Sequence, residues 1–325
     1  MKVIHSIEAV DLPLGQSVLT IGNFDGVHRA HQQLIAQAGL FAANTGGPVV
    51  VLTFEPHPLS IVAPERAPAR LQLLDEKIEC LAQAGADIVV IAKSEPALLG
   101  LTAEEFVEEV IRKRFNPTHI VEGPSFGFGR GRRGTAQRLA ELAQSFGCEV
   151  LIVEPVMLRL DEGESMLVSS SLIRKLVGEG KVRRAALCLG RPFTLAGPVV
   201  EGDRRGRSLG FPTANLDVRD QLLPADGVYA GHTTIDNETF LCGISVGRRP
   251  TFDDRTHAVE AHLLDFDGDL YGRRLRIQFD RFLREQKTFG SPEALAAQLR
   301  QDVAAIRAGH HPDFTTGTGP SESST

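Results

Sequence analysis

The 325-residue sequence contains no tryptophan, two tyrosines and four cysteines. Stacking against a planar ligand would therefore depend on its 17 phenylalanines and on aliphatic side chains. The cysteines, at positions 80, 148, 188 and 242, form no C-x-x-C pair and show no metal-type spacing. This pattern argues against a cysteine-based zinc or redox centre and predicts reduced thiols in a cytoplasmic protein.

Long apolar runs and a strong charge excess are also missing. No run approaches the roughly 20 residues of a membrane span, and the first five residues lack the apolar core of a signal peptide. A net charge of −6 provides no general attraction to nucleic acid or to a membrane surface, so any phosphate site must be local. We expect a protein with neither of these partners. Its length suits two domains with real cores, and its oligomeric state stays open.

The most informative stretch runs from Val18 to His31. A short apolar strand, Val18 to Ile21, is followed by the turn signals Gly-Asn and Asp-Gly and then by a helical pattern. Such a strand–turn–helix directs backbone N–H groups and the positive helix end at one point, which suits phosphate. His28 and His31 are three residues apart, so a helix would place them on one face, where imidazoles can stabilise growing negative charge.

The first half of the chain alternates strand and helix patterns. Buried strands are predicted at 48–54, 87–91, 119–122 and 148–153, and this alternation favours a parallel sheet covered on both faces. Loops beyond the carboxyl ends of such strands bind ligands, and His57 lies in one of them, between two prolines. The Gly/Arg-rich loop 123–134 and the serines before Arg174 are two further candidate phosphate segments.

The second half changes to short strands separated by turns, predicted at 193–200, 227–235, 240–246, 258–264 and 275–282. This spacing favours a small closed barrel, followed by a helix that begins at Ser291-Pro292. Thr213 and Asn215 alternate, so their oxygens would point the same way in an extended segment, as Mg²⁺ ligands do beside nucleotide phosphates. Glu260 is a carboxylate within an apolar strand, either a paired structural acid or a general base.

Motifs in both halves resemble those of the prokaryotic bifunctional riboflavin kinase/FAD synthetase family. Gly-Asn-Phe-Asp-Gly-Val-His with His31 is similar to the HxGH signature of nucleotidyltransferases, and residues 169–174 are similar to an I-S-S-T-x-I-R element. Leu-Gly-Phe-Pro-Thr-Ala-Asn, at 209–215, resembles the riboflavin kinase module. The chain departs from the family pattern at Ala30, where glycine is usual, and at Ser125, where Asp or Asn is usual.

The resemblance implies a set of site residues in each half. In the adenylyltransferase half these are the catalytic His28, His31 and Arg174, the ATP-binding Gly22, Asn23, Phe24, Asp25, Ser170 and Ser171, and the FMN or nucleotide loop residues His57, Ser125, Phe126 and Phe128. In the kinase half they are the base Glu260, the ATP-binding Gly206, Arg207, Gly210, Phe211, Thr213 and Asn215, with Mg²⁺ on the last two, and Arg284 on a flavin-side loop.

The implied fold is an α/β nucleotidyltransferase domain with a Rossmann-like parallel sheet, over 1–186, and an antiparallel β-barrel with a terminal helix, over 187–308. Residues 309–325 are predicted to form a disordered tail. The implied reactions convert riboflavin to FMN and FMN to FAD, with ATP as co-substrate. Three alternatives remain: a kinase without adenylyltransferase activity, a flavin- or RNA-binding regulator, and a small aminoacyl-tRNA synthetase, for which no tRNA-reading segment is found.

Overall fold

The structure, a computed structural model, describes residues 1–309 except 12, 13, 15, 161–164, 203–209 and 249–256. The predicted tail beyond 309 and the residues Gly206 and Arg207 therefore lie outside the described residues. The described chain divides into two compact units. The first contains residues 1–175, 188–190 and 220–222, and the second contains 176–187, 191–219 and 223–309.

The first unit is built on a parallel sheet, as the alternating pattern predicts. Six described strands form it, in the order β1-β4-β3-β2-β5-β8, and all neighbours run parallel. They are β1 (Lys2–Ile4), β2 (Val18–Ile21), β3 (Val49–Glu55), β4 (Ile88–Lys93), β5 (His119–Glu122) and β8 (Glu149–Ile152). Two short hairpins accompany the sheet, β6 (Gly127–Phe128) with β7 (Gly134–Thr135) and β9 (Met157–Arg159) with β10 (Ser165–Leu167).

Helices cover both faces of this sheet. They are α1 (Arg29–Thr45), α2 (Leu59–Val62), α3 (Leu74–Gln83), α4 (Pro96–Leu99), α5 (Ala103–Glu105, continued by a π-helix over Phe106–Phe115) and α6 (Ala136–Ala143). On α1, Ile35 and Ala38 are buried, which confirms the predicted apolar face. A capping box begins α5, since Thr102 and Glu105 satisfy each other's backbone N–H groups.

The strand order places a crevice beside β2. The chain proceeds outward from β2 through β3 to β4 and then returns to β5 on the other side of β2. The connections that follow β2 and β5 therefore lead away in opposite directions. Ligands of such sheets bind in the crevice between the two connections, outside the carboxyl ends of the strands. Here Glu122 lies buried between the two strands, and its Oε1 accepts the Ile21 N–H at 2.6 Å. Burial raises the pKa of the Glu122 carboxyl well above its usual range.

The second unit is the predicted barrel. Its closed order is β11-β12-β15-β14-β13-β16, and every pairing is antiparallel. The strands are β11 (Phe193–Val200), β12 (Ala214–Leu216), β13 (Gly227–Ile235), β14 (Glu238–Arg248), β15 (His257–Leu263) and β16 (Arg274–Arg284). In sequence, α7 (Ser170–Gly178) and α8 (Val182–Leu189) precede the barrel, and α9 (Pro292–Ala308) follows it with Ser291 as N-cap.

No described helix has the length and apolar character needed to cross a membrane. Within the same residues, no group of three or more histidine, cysteine or acidic side chains is arranged to hold a metal ion. All four cysteines are free thiols, three of them buried.

Candidate active sites

A strained turn joins β2 to α1 at the crevice. Phe24 and Val27 both have positive φ, at 47° and 35°, which is costly for a bulky or β-branched residue. Gly26 has φ +87°, and a Cβ there would lie 2.9 Å from Leu71 Cδ1, so both conformation and space require glycine. The turn therefore keeps a conformation that its own sequence disfavours, as ligand-binding turns often do.

The two histidines of the motif meet in this turn. His28 is the N-cap of α1 and is buried, and His31 lies in the first helical turn. Their rings stack with centroids 3.6 Å apart and planes 15° apart, which confirms the predicted shared face. Phe24 packs against the His31 ring at 5.0 Å. Two positively charged rings at this separation would repel, and an anionic group beside them would lower that cost.

Arg174 reaches the same turn from α7. Its guanidinium forms an ion pair with Asp25, and its Nε donates to the Ala69 carbonyl at 2.8 Å. Ser170 Oγ donates to the Asp25 carbonyl at 2.8 Å, whereas Ser171 is exposed. Burial raises the pKa of Asp25 above its ordinary value, and the nearby Arg174 and Lys77 oppose that rise. Asp25 thus pairs with the guanidinium that is predicted to hold phosphate.

Only one of the three consecutive serines caps α7. Ser169 Oγ accepts the Leu172 N–H at 3.2 Å, as an N-cap does. Ser169 is therefore explained by helix capping. The binding of ATP by Ser170 and Ser171 stays a prediction.

His57 lies at the end of β3, after a cis Glu55–Pro56 peptide. Its Nδ1 accepts the Leu59 N–H at 3.1 Å, and its Nε2 lies 3.1 Å from the Asn23 side-chain amide. Burial, together with nearby cations, lowers the pKa of His57 to about 4. His57 is therefore a neutral hydrogen-bonding group at neutral pH.

The two phenylalanines of the Gly/Arg-rich loop after β5 differ in burial. Phe128 is buried and packs against Phe106 at 5.8 Å, so it belongs to the core. Phe126 is half-buried and stacks on Phe128 at 5.4 Å. Ser125 is exposed, and its carbonyl accepts from Arg132. Of the three predicted loop residues, Phe126 and Ser125 are the ones a ligand can reach.

Sequence reasoning missed a charged group in the first unit. Arg70 and Lys77 both contact Glu55 at the end of β3, at 2.8 and 3.6 Å respectively. These residues, with Asn23, Asp25 and His57, line a cleft beside the turn. In the sequence, Glu76-Lys77 looks like the solvated face of a helix, and no motif distinguishes it.

On the barrel, polar residues form a row across three strands. Asn215 of β12 is opposite Glu260 of β15, and Glu260 is opposite Ser245 of β14. The flanking residues of β15, Val259 and Ala261, are buried in the barrel interior, so the row faces outward. The predicted base, which is half-buried, and one predicted magnesium ligand, which is buried, are thus adjacent across two paired strands.

Neighbouring segments close around this row. A Cβ on Gly202 would lie 2.2 Å from the Asn215 amide nitrogen, so the backbone at 202 packs directly on that side chain. Phe211 makes an edge contact with His262 at 5.4 Å, and Gly210 has φ +82°. Gln286 donates to Ser245 Oγ at 3.0 Å. The segments 203–209 and 249–256, which carry other family motifs, lie outside the described residues.

Arg284, the predicted flavin-side residue, is paired to the terminal helix. Its Nε and Nη2 donate to the Asp302 carboxylate at 2.9 and 2.7 Å, and Gln298 donates to the same carboxylate at 3.0 Å. The two paired side chains are 15% and 9% exposed. This geometry anchors α9 to the end of β16.

We expect Asp302→Asn to destabilise the second unit by about 3 kcal/mol, because it leaves a largely buried guanidinium without its counter-charge. Asp265→Asn is the matched control, since its partner Arg307 is on the same helix and their exposed pair is screened by solvent, so its loss should cost much less stability. Urea unfolding followed by circular dichroism measures both. Equal losses for the two variants would show that the Arg284 pair is no stronger than a surface pair.

Comparisons with known proteins match both units. A family model for FAD synthetase matches residues 13–171, and one for riboflavin kinase matches residues 189–309. The bifunctional riboflavin kinase/FMN adenylyltransferase of Escherichia coli K12 is 36% identical over 309 residues, covering 94% of this chain and 97% of that protein. Its counterpart in Pseudomonas fluorescens is 38% identical and covers 90% and 92%.

A solved structure shares the fold over nearly the full length. A crystal structure described as a macrolide-efflux protein from Streptococcus pneumoniae superimposes with a TM-score of 0.83 at 32% identity, covering 95% of this chain and 99% of its own. The two matched family models and the similarity to these relatives over nearly the full length confirm the family that the motifs predict. The chain belongs to the bifunctional riboflavin kinase/FMN adenylyltransferase family.

Proposed function

We propose that this chain makes FAD from riboflavin in two ATP-dependent steps, one in each domain, with a boundary near residue 187. The observation that carries the proposal is that the two candidate sites belong to different units. The stacked His28 and His31 lie in the first unit, and the Asn215–Glu260 row lies on the barrel. Each site falls within a segment that matches a different family model.

In the first step, Glu260 accepts the proton of the riboflavin 5′-hydroxyl. The oxygen forms a bond to the γ-phosphorus of ATP, the bond to the β-phosphate oxygen breaks, and FMN and ADP result. The rest of this reaction is positioning and charge neutralisation. Glu260 suits the role because it is half-buried on the outer side of the barrel wall and is not enclosed in the barrel interior.

Thr213 and Asn215 offer a hydroxyl and an amide oxygen, a hard-oxygen pair that fits Mg²⁺ carried by nucleotide phosphates. Packing of the backbone at Gly202 against Asn215 fixes that amide beside Glu260. A bound magnesium ion would neutralise charge on the ATP phosphates. The chain's own residues would hold the nucleotide and move the proton.

In the second step, a phosphate oxygen of FMN forms a bond to the α-phosphorus of another ATP. The α–β bridge bond breaks, and FAD and pyrophosphate leave. His28 and His31 donate hydrogen bonds to the oxygens whose charge grows, and Arg174 adds positive charge when phosphate displaces Asp25. Ala30 lies inside α1, where alanine is the most favourable residue, so the departure from glycine leaves the helix start intact.

One assay tests this proposal against the alternatives. The purified chain is incubated with riboflavin, ATP and Mg²⁺, and the flavins are resolved by chromatography. We expect both FMN and FAD to accumulate. FMN alone would indicate a kinase without adenylyltransferase activity, and unchanged riboflavin would indicate a binding protein that lacks both activities.

A further inference from the structure

The cleft beside the strained turn contains cations that the reaction scheme above does not use. Its lining includes Asn23 and Asp25 from the turn, Glu55 and His57 from the end of β3, Arg70 from the segment before α3, and Lys77 from α3 itself. We refer to these six residues as the acceptor cleft. Because the turn from 22 to 28 also carries His28, the acceptor cleft adjoins the proposed adenylyl-transfer site.

Lys77 is unusual because it is a buried lysine. Its side chain is 7% exposed, and its Nζ lies 3.6 Å from Glu55 Oε2. Arg70 Nη2 lies 2.8 Å from Oε1 of the same carboxylate. The Glu55 carboxylate thus pairs with two cations. Lys77 is the more deeply buried of the two and lies farther from the carboxylate. Lysine is almost never buried to this extent unless it is paired, and Lys77 shares its partner Glu55 with Arg70, which leaves positive charge that a further anion would balance.

The balance of charge around the acceptor cleft supports this reading. Three cations, Arg70, Lys77 and Arg174, face two carboxylates, Asp25 and Glu55. The neighbouring buried acid of α3, Glu76, accepts the Leu73 N–H at the helix start and is not among the residues that line the cleft. A low-dielectric cleft with excess positive charge is stabilised by an anion.

His57 does not add to the cationic charge. Its pKa of about 4 keeps the ring neutral at neutral pH, and three of the causes of that shift are the cations Arg174, Lys77 and Arg70. Burial also lowers the pKa of Lys77, whereas Glu55 and Asp25 oppose that shift. A phosphate dianion in the cleft would stabilise the charged form of the lysine in the same way.

We propose that Lys77 and Arg70 bind the phosphate monoester of the acceptor flavin during adenylyl transfer. This inference rests on the proposed function, in which two phosphate-bearing molecules must approach each other. The attacking oxygen and the leaving pyrophosphate lie roughly in line through the α-phosphorus. With the histidines and the start of α1 on the nucleotide, the attacking phosphate needs its own cations on the other side of the turn.

The chemistry of the two side chains suits a phosphate monoester. The Arg70 guanidinium can donate two parallel hydrogen bonds to phosphate oxygens, and the Lys77 ammonium acts as a compact point charge. Glu55 holds both cations in place before the ligand arrives. The same cations provide selectivity, because riboflavin lacks the phosphate that they bind and so would be a poor adenylyl acceptor.

The test is steady-state adenylylation by the full-length protein, with FMN and ATP varied separately. We expect Lys77→Gln and Arg70→Gln each to raise the KM for FMN about tenfold or more, and to change the KM for ATP less than about twofold. Lys77→Arg should recover part of the FMN affinity, because it restores the charge. Lys93→Gln, at the exposed end of β4, is the matched control and should leave both constants unchanged.

Several outcomes would overturn the inference. An unchanged KM for FMN, or equal increases in the two KM values, would show that the pair has a structural role only. The riboflavin kinase rate of each variant serves as a check on folding, and if Lys77→Gln does not fold, the more exposed Arg70 carries the test. A wild-type protein that makes no FAD from FMN and ATP would instead refute the proposed function.

Discussion

His28→Ala is expected to reduce the formation of FAD from FMN by about 10²- to 10³-fold, the loss typical of removing one donor to a developing charge. The imidazole is held by its position as N-cap of α1 and by stacking on His31 at 3.6 Å, so it is aimed before substrate binds. Removing it leaves the strained turn and the ion pair between Asp25 and Arg174 in place. The loss should therefore appear in kcat more than in the KM for FMN.

The same variant should convert riboflavin to FMN at the wild-type rate, because the kinase residues lie on the barrel of the second unit. His5→Ala is a matched control, since His5 is an exposed histidine of the same unit. Chromatographic separation of the three flavins measures both steps in one sample. An unchanged FAD yield from His28→Ala would contradict the assignment of the histidine pair, and loss of both products would contradict independent sites.

Local sequence signals determined most of the elements that surround these sites. The run from Val18 to Ile21, the turn after it and the apolar face of α1 are all local, and they lie where the pattern predicts them. Most barrel strands are long enough to show a period of two, so they too were predictable. The shared face of the two histidines follows from their helical spacing, whereas the stacking of their rings does not.

Other elements depend on tertiary contacts and have weak local signals. The edge strand β1 and the hairpin strands β9 and β10 are three residues long, too short for a period to appear. The strand β12 contains Asn215 and exists because it pairs with both β11 and β15. The π-helical winding of 106–115 is likewise invisible in a pattern that reads as an ordinary helix.

The charged contacts of the sites were the least predictable. Arg174 and Asp25 are separated by 149 positions, and Arg284 reaches Asp302 across the end of the barrel. Lys77 follows Glu76 in a sequence that resembles any solvated helix. A charged side chain has no periodic signal that distinguishes a buried partner from water, so these pairs emerge only when the sheet and the barrel have assembled.

Glu260→Gln is expected to reduce FMN formation by about 10²- to 10⁴-fold, the range for loss of a positioned general base. The amide keeps the size of the side chain and its place between Asn215 and Ser245, but it cannot accept the hydroxyl proton. FAD formation from supplied FMN should continue at the wild-type rate, because that step uses the first unit. Glu238→Gln, an exposed glutamate of the same barrel, should change neither reaction. If Glu260→Gln retained its kinase rate, Glu260 would be a structural acid, and the proton would have to leave by another route.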